Sequence, residues 1–182
     1  MLTNRAITFT IILLGAVLLG GCSTAPNTLA KRTSLHKDVL STIDRFKAHD
    51  SSMSNLFQSS AGYAVFPSVG KGAIGVGGAY GRGELFEYGH VTGFCDLSQA
   101  TIGFQLGGQA YSEVIFFENA TSLTHFRTGN IAFAAQASAV AATAGASSDA
   151  NYENGVIVFT LASGGLMFEA SIGGQKFTFV PQ

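Results

Sequence analysis

From residue 62 onward, short apolar or alternating runs separated by glycine restrict the possible folds of this chain most strongly. The candidate strands are residues 63–66, 73–80, 84–88, 101–106, 110–117, 156–161, 166–172 and 176–180. Glycine pairs at 77–78, 107–108, 164–165 and 173–174 indicate turns, bulges or tight corners. Short strands repeated in this way predict an antiparallel sheet that curls into a glycine-rich β-barrel or sandwich.

The segment before the sheet has helical periodicity. Its apolar positions recur at spacings of four, four and three: Leu35, Val39, Ile43 and Phe46. This spacing places them on one face of an α-helix. The basic residues are assigned to the other face: Lys31, Arg32, Lys37, Arg45 and Lys47. With three aspartates, residues 31–50 have a local charge of +2, whereas residues 51–182 have a charge of −4. The predicted class is therefore α+β, with an amphipathic N-terminal helix.

Shorter helical segments are also predicted. Residues 53–57 follow Ser51 or Ser52, and either serine could cap a helix. Residues 119–127 form a further short helix, with Asn119 as its cap. Residues 131–144 fit two structures, because alanine favours a helix while alternate positions would line one face of a strand. We favour the strand there.

The first 22 residues resemble the signal of a bacterial lipoprotein. Arg5 supplies a positive charge, and residues 6–19 form an uncharged run of fourteen. That run is shorter than the ~20 residues that span a bilayer, and it suits a signal peptide. The sequence LGGC at 19–22 resembles a lipobox, in which cleavage precedes Cys22 and the thiol carries a diacylglycerol. The alternative is an ordinary secretory signal with an incidental cysteine.

These features predict a signal peptide over residues 1–21, a lipidated Cys22 with a tether to residue 30, and one domain over 31–182. Each buried CH₂ of an acyl chain contributes ~0.8 kcal/mol, so two chains would anchor the protein. Ser23 rather than aspartate follows the cysteine, which indicates the periplasmic face of a bacterial outer membrane. Cys95 is then expected to be a buried, inert thiol.

Composition excludes several classes of protein. Charged residues are 12% of the 182 residues, about half the usual ~25%. Disorder needs more charge and fewer apolar residues than this, and a coiled coil needs more charge. The net charge of −1 lacks the basic excess of nucleic-acid-binding proteins, so we expect no nucleic-acid partner.

The motifs of catalysis are incomplete. The sequence GKGAIG at 70–75 matches G-x-G-x-x-G, but the glycine-rich residues after it do not suit the helix that a dinucleotide site requires. Neither a P-loop nor G-x-S-x-G occurs, and the histidines lack metal-ligand spacing. We expect no catalytic residue, cofactor or metal ion. The enzyme alternative needs a polar pocket that joins groups such as His90, Asp96 and His125, or a pair of His90 with Cys95.

Several ordered motifs resemble the SYLF domain, a lipid-binding family whose yeast members are also described as actin-binding. They are AGYAVFP at 61–67, KGAIGVGGAYGRG at 71–83, IGFQLGGQ at 102–109, VIFF at 114–117 and SGGLMFEA at 163–170. The resemblance covers roughly residues 35–180. Relatives often have a glycine-rich turn ending in arginine where this chain has AGAS at 144–147. This departure removes a possible phosphate contact.

The resemblance implies a phosphoinositide- or phospholipid-binding module in which the N-terminal helix takes part. By position it assigns lipid contacts to the basic residues of that helix, Lys31, Arg32, Lys37, Arg45 and Lys47, and to two in the glycine-rich segment, Lys71 and Arg82. The resulting hypothesis is a non-catalytic module of a lipid-anchored envelope protein that binds anionic phospholipid head groups. The alternative is a structural or protein-interaction module of the envelope, actin-binding-like by family analogy, without direct lipid recognition.

Overall fold

The computed structural model describes residues 25–74, 76–102, 107–129, 140–141, 145–162 and 174–182. The helices are α1 (Leu29–His49), α2 (Met53–Ser59), α3 (Ala120–Arg127) and α4 (Ala146–Asp149). The strands are β1 (Gly62–Ile74), β2 (Val76–Glu87), β3 (His90–Ile102), β4 (Gly107–Phe117), β5 (Val140–Ala141), β6 (Val156–Ala162) and β7 (Gln175–Pro181). The predicted signal peptide, Cys22 and the candidate strand 166–172 lie outside the described residues, as does most of 131–144.

One seven-stranded sheet forms the centre of the domain. Its order is β5-β6-β4-β1-β2-β3-β7, and every neighbouring pair is antiparallel except β5 and β6. The predicted α+β class with an N-terminal helix is confirmed. The sheet is curled but not closed in the described part of the chain, where β5 and β7 are its edges.

Two differences from the predicted strands have physical causes. The predicted strand 73–80 is the tip of a hairpin, since Ala73 pairs with Gly77 and Ile74 with Val76. β3 was not predicted, because polar residues interrupt its apolar ones. In the sheet this alternation is a normal two-sided pattern: Cys95 and Leu97 are buried on the inner face, while Asp96 between them is held by Arg82.

The inner face of the curled sheet encloses an apolar core. Its largest members are the rings of Phe66, Tyr111, Phe117, Phe126 and Phe177. α3 covers one end of this core by inserting Leu123 and Phe126. The predicted cap is also confirmed, because Asn119 Oδ1 accepts hydrogen bonds from the backbone N–H groups of Thr121 and Ser122 at 3.0 Å. Cys95 is fully buried in this core as a free thiol, and burial raises its pKa.

The outer face of the sheet is covered by α1 and α2. The predicted apolar face of α1 is confirmed, since Val39, Ile43 and Phe46 are buried against the sheet and Leu35 is partly buried. Burying each such side chain contributes ~1.5–3 kcal/mol relative to exposure. The chain therefore has two cores, one on each face of a single sheet. Among the described helices, none has the length and apolar character that crossing a membrane would require.

Candidate functional site

α1 crosses the outer face of the sheet from β3 to β4. Near its start, the Arg32 guanidinium lies 5.1 Å from the centre of the Phe94 ring on β3. One turn later, His36 Nδ1 is 2.8 Å from Glu84 Oε2 on β2. Near its end, Arg45 Nη2 donates a 2.8 Å hydrogen bond to Ser112 Oγ on β4. These contacts fix both the height and the rotation of the helix above the sheet.

The basic residues of α1 therefore divide into two groups. Arg32 and Arg45 make the contacts just described, and Lys47 Nζ lies 5.0 Å from the centre of the Phe57 ring in α2. A guanidinium or ammonium group over an aromatic face is attracted by the ring electrons. Of the five basic residues of α1 that were predicted to bind lipid, three thus contact other residues of the protein.

Lys31 and Lys37 form the second group. Both residues are exposed, and within the described ranges neither has an ion pair with an acidic side chain. Their ammonium groups can therefore approach an external anion without breaking a contact of the fold. Lys31 lies in the first turn of α1, where Thr28 Oγ1 accepts a hydrogen bond from its backbone N–H.

Two exposed leucines share one side of α1 with Lys37. Leu29 is 80% exposed and Leu40 is 45% exposed. They are eleven positions apart, which is about three turns, so they lie on the same side of the helix. Lys37 is three residues before Leu40 and therefore neighbours it on the helix surface, whereas Lys31, two residues after Leu29, lies on the opposite side. We call Leu29, Lys37 and Leu40 the α1 strip. The sequence contains this spacing, but the prediction from the buried apolar face did not include it.

An aromatic row supports this side of α1. The His36 ring stacks on Phe86 with a centroid distance of 6.5 Å, and Phe86 stacks on Tyr63 at 4.9 Å. Tyr63 meets Phe57 edge-on at 5.0 Å, and Phe57 lies under Lys47. Leu40 is one turn after His36, so it projects beside this row while remaining exposed. The strip is thus presented by a rigid, well-packed element.

Electrostatics beneath the helix are set by burial. The Glu84 side chain is 3% exposed. Burial raises its pKa, and the hydrogen bond with His36 acts in the opposite direction. This interaction between an exposed helix residue and a buried strand residue is one reason for the fixed position of α1.

The remaining predicted lipid-binding residues are placed differently. On β2, Arg82 Nε donates a 2.9 Å hydrogen bond to Asp96 Oδ1, and its Nη2 donates one of 3.0 Å to the Tyr80 hydroxyl. Lys71 belongs to β1, where its backbone pairs with Ala79 and Gln109, and its side chain lies outside the described part.

The residues of the enzyme alternative are not brought into one pocket. His90 and Asp96 lie on the same strand, six residues and therefore ~20 Å apart. His125 is exposed on α3. Cys95 is buried within the inner core, while His90 is exposed at the start of β3. In the described ranges, no group of three or more histidine, cysteine or acidic side chains is placed to hold a metal ion.

The segment that departs from the family pattern has an internal role. Ser147 N donates a 2.7 Å hydrogen bond to Asp50 Oδ2, and the Ser147 and Ser52 hydroxyls are 2.6 Å apart. The Ser52 hydroxyl and backbone N–H also donate to Asp50 Oδ1. Ser52, one of the two serines predicted as the cap of α2, occupies the N-cap position. Its side chain donates to Asp50 and makes no capping hydrogen bond to the helix. No pattern in the sequence predicted this junction of α1, α2 and α4.

Comparison with known families gives a partial match. Residues 98–180 match the Ysc84 family, described as "Las17-binding protein actin regulator". This match supports the SYLF resemblance for the part of the chain from β3 to β7. A search of curated proteins found no match. The match supports a binding module.

Proposed function

We propose that this protein is a non-catalytic module that binds anionic phospholipid head groups through the α1 strip. The exposure of Lys37 on the same side of α1 as Leu29 and Leu40 carries the proposal. Lysine with apolar side chains on an exposed helix surface is the composition that favours the membrane interface. The match to a family associated with lipid or actin binding is a second support.

The proposed lipid attachment places the strip close to a bilayer. Six residues separate Cys22 from Leu29, and an extended chain spans at most ~3.6 Å per residue. Acyl chains on Cys22 would therefore hold the start of α1 within a few tens of ångströms of the membrane. Once α1 lies within a Debye length of ~8–10 Å from an anionic surface, each basic residue adds ~1 kcal/mol of attraction that helps to orient the domain. We place the protein on the periplasmic face of a bacterial outer membrane.

The same family match motivates a second candidate function. The family description names an actin regulator that binds a protein, so the module could contact an envelope protein instead of lipid. Lys31 and Lys37 would then face acidic side chains of the partner. The two functions differ in whether protein-free vesicles are bound.

Vesicle co-sedimentation of residues 23–182 tests the proposal. This chain retains every described residue of both cores and lacks Cys22 as a lipid attachment point. We expect binding to vesicles that contain phosphatidylglycerol, weaker binding at high salt, and little binding to phosphatidylcholine vesicles. Replacing Lys37 by glutamate should weaken binding by at least ~5-fold, from the loss of ~1 kcal/mol per basic residue and the added repulsion.

The matched control is Lys176→Glu. Lys176 is exposed on β7, so this variant changes the net charge as each α1 substitution does but leaves the α1 strip intact. Equal losses for Lys37→Glu and Lys176→Glu would indicate a non-specific charge effect. Absence of binding at low salt would contradict the proposal and favour the protein-partner function.

A further inference from the structure

The hairpin between β2 and β3 ends in an unusual residue. Tyr88 is 89% exposed and has a φ of 50°, in the left-handed region. Gly89 after it has a φ of 78°. Two successive positive φ values are the geometry of a type I′ turn, whose first position favours asparagine, aspartate or glycine. An aromatic side chain there costs free energy and gains no burial in the fold.

Conformational strain at an exposed residue indicates a functional constraint. Tyr80, on the β2 strand of the same hairpin, provides a contrast, because its hydroxyl accepts a hydrogen bond from Arg82 although the ring is half-exposed. The Tyr88 side chain makes no such hydrogen bond with the described residues. Its ring is therefore available to an external surface.

The hairpin is connected to α1 by direct contacts. Phe86 lies two residues before Tyr88, and its ring stacks on His36 of α1. Leu40 lies one turn beyond His36 on the same side of the helix. The hairpin tip and the α1 strip are thus joined through the ring contact of Phe86 with His36.

We propose that Tyr88 is a second membrane contact, which inserts into the interface of the bilayer that the α1 strip approaches. This inference rests on the proposed function, because it requires the same phospholipid surface. Tyrosine favours the membrane interface, since its ring is apolar and its hydroxyl remains hydrated. The line from Leu29 to Leu40 along the helix and the separate contact at Tyr88 on the hairpin together define a plane, which fixes the tilt of the domain against the membrane.

A bilayer fits this arrangement better than a protein partner does. The exposed groups combine Lys37, two leucines and a tyrosine on convex elements, a helix surface and a turn tip, rather than in a groove. Anionic head groups complement Lys37, and six residues separate the proposed anchor at Cys22 from Leu29. A surface held near lipid by its own anchor has the bilayer as its nearest partner.

The sequence has no tryptophan, so Tyr88→Trp introduces one reporter at the hairpin tip. In residues 23–182 with this substitution, phosphatidylglycerol vesicles should shift the fluorescence emission to shorter wavelength. Brominated lipids should then quench that emission. The matched control is Tyr80→Trp. It places the indole on β2 of the same hairpin, at a residue whose hydroxyl accepts a hydrogen bond from Arg82, and it should show neither effect.

A second variant separates binding from folding. Tyr88→Asn supplies a residue that the type I′ turn prefers. It should raise the melting temperature while lowering vesicle affinity several-fold. A loss of affinity together with a gain in stability cannot result from unfolding.

The outcomes distinguish the two proposals. Vesicle binding without an emission shift for Tyr88→Trp would overturn the hairpin contact and leave the α1 proposal standing. A shift produced by filamentous actin but not by vesicles would assign Tyr88 to a protein contact and overturn the inference. Absence of vesicle binding by the unsubstituted chain would overturn both.

Discussion

Gln175 Nε2 donates a 3.0 Å hydrogen bond to Glu113 Oε2, joining β7 to β4 across the interior of the sheet. These strands are not neighbours, because β1, β2 and β3 lie between them in the sheet order. The sheet must therefore curl until its inner face meets itself. The same approach brings Phe66 of β1 to Phe177 of β7, with ring centroids 5.9 Å apart. Glu113 is the ionisable group at the centre of this closure.

The state of Glu113 makes stability depend on pH. Burial raises the pKa of its carboxyl from the usual 4.5 to about 8, although the hydrogen bond from Gln175 acts in the opposite direction. The folded state therefore keeps a proton that the unfolded chain releases. The free energy of unfolding should decrease as pH rises from about 4.5 to about 8, with a slope of up to ~1.4 kcal/mol per pH unit. Urea unfolding at a series of pH values measures this.

Glu113→Gln should remove that slope, because an amide cannot ionise yet still accepts from Gln175. The variant is expected to match the parent near pH 5 and to exceed its stability at pH 8. Glu118→Gln is the control, since Glu118 is exposed just beyond β4 and should leave the slope unchanged. A parent protein whose stability is constant from pH 5 to pH 8 would contradict the buried neutral carboxyl.

Asp50 has the opposite pH dependence. Burial acts to raise its pKa, but the hydrogen bonds from Ser52 and Ser147 outweigh burial and lower the pKa to about 2. Its stabilising contribution is therefore complete above the usual 3.8 and is lost as pH falls toward 2. Asp50→Asn should destabilise the fold by ~1.5–3 kcal/mol at pH 7, since bonds to a charged acceptor are lost.

Comparison of Asp50→Asn with the parent at low pH provides the check. The difference in unfolding free energy should shrink as the carboxylate of the parent becomes protonated. Asp44→Asn is a suitable control, because Asp44 is exposed on the same helix. A difference that stayed constant down to pH 2 would mean that the charge of Asp50 does not stabilise the junction.

Sequence periodicity predicted the helices and their buried faces better than it predicted the side-chain contacts between elements. The buried face of α1 and the Asn119 cap of α3 follow from local rules of spacing and capping, and both are confirmed. The division among the basic residues could not be predicted, because a helical pattern treats Arg32 as polar although its guanidinium packs on Phe94. The contact of Glu113 with Gln175 depends on the curl of the whole sheet, which no local pattern encodes.

The two groups of cations in α1 predict opposite effects on stability. Arg45→Ala removes the hydrogen bond to the fully buried Ser112 hydroxyl and should lower the free energy of unfolding by ~1.5–3 kcal/mol. Lys37→Ala changes an exposed residue and should alter stability by less than ~0.5 kcal/mol. Urea unfolding of both variants at pH 7 distinguishes them. Equal destabilisation would show that the division of contacts along α1 is wrong.

Gly83 is required by the close approach of two strands. A Cβ atom there would overlap the Val65 carbonyl oxygen and lie 2.9 Å from Phe66 Cδ1. Val65 precedes the point where the register of β1 shifts against β2, so its backbone cannot retreat without breaking the ladder. Gly83→Ala should therefore destabilise the domain by ~1–3 kcal/mol, the usual cost of overpacking. Gly70→Ala on β1 is the control, because its Cβ would meet nothing within 4 Å. Thermal unfolding should show a lowered midpoint for the first variant and little change for the second. Similar midpoints for both would mean that β1 and β2 can separate at Gly83 without cost.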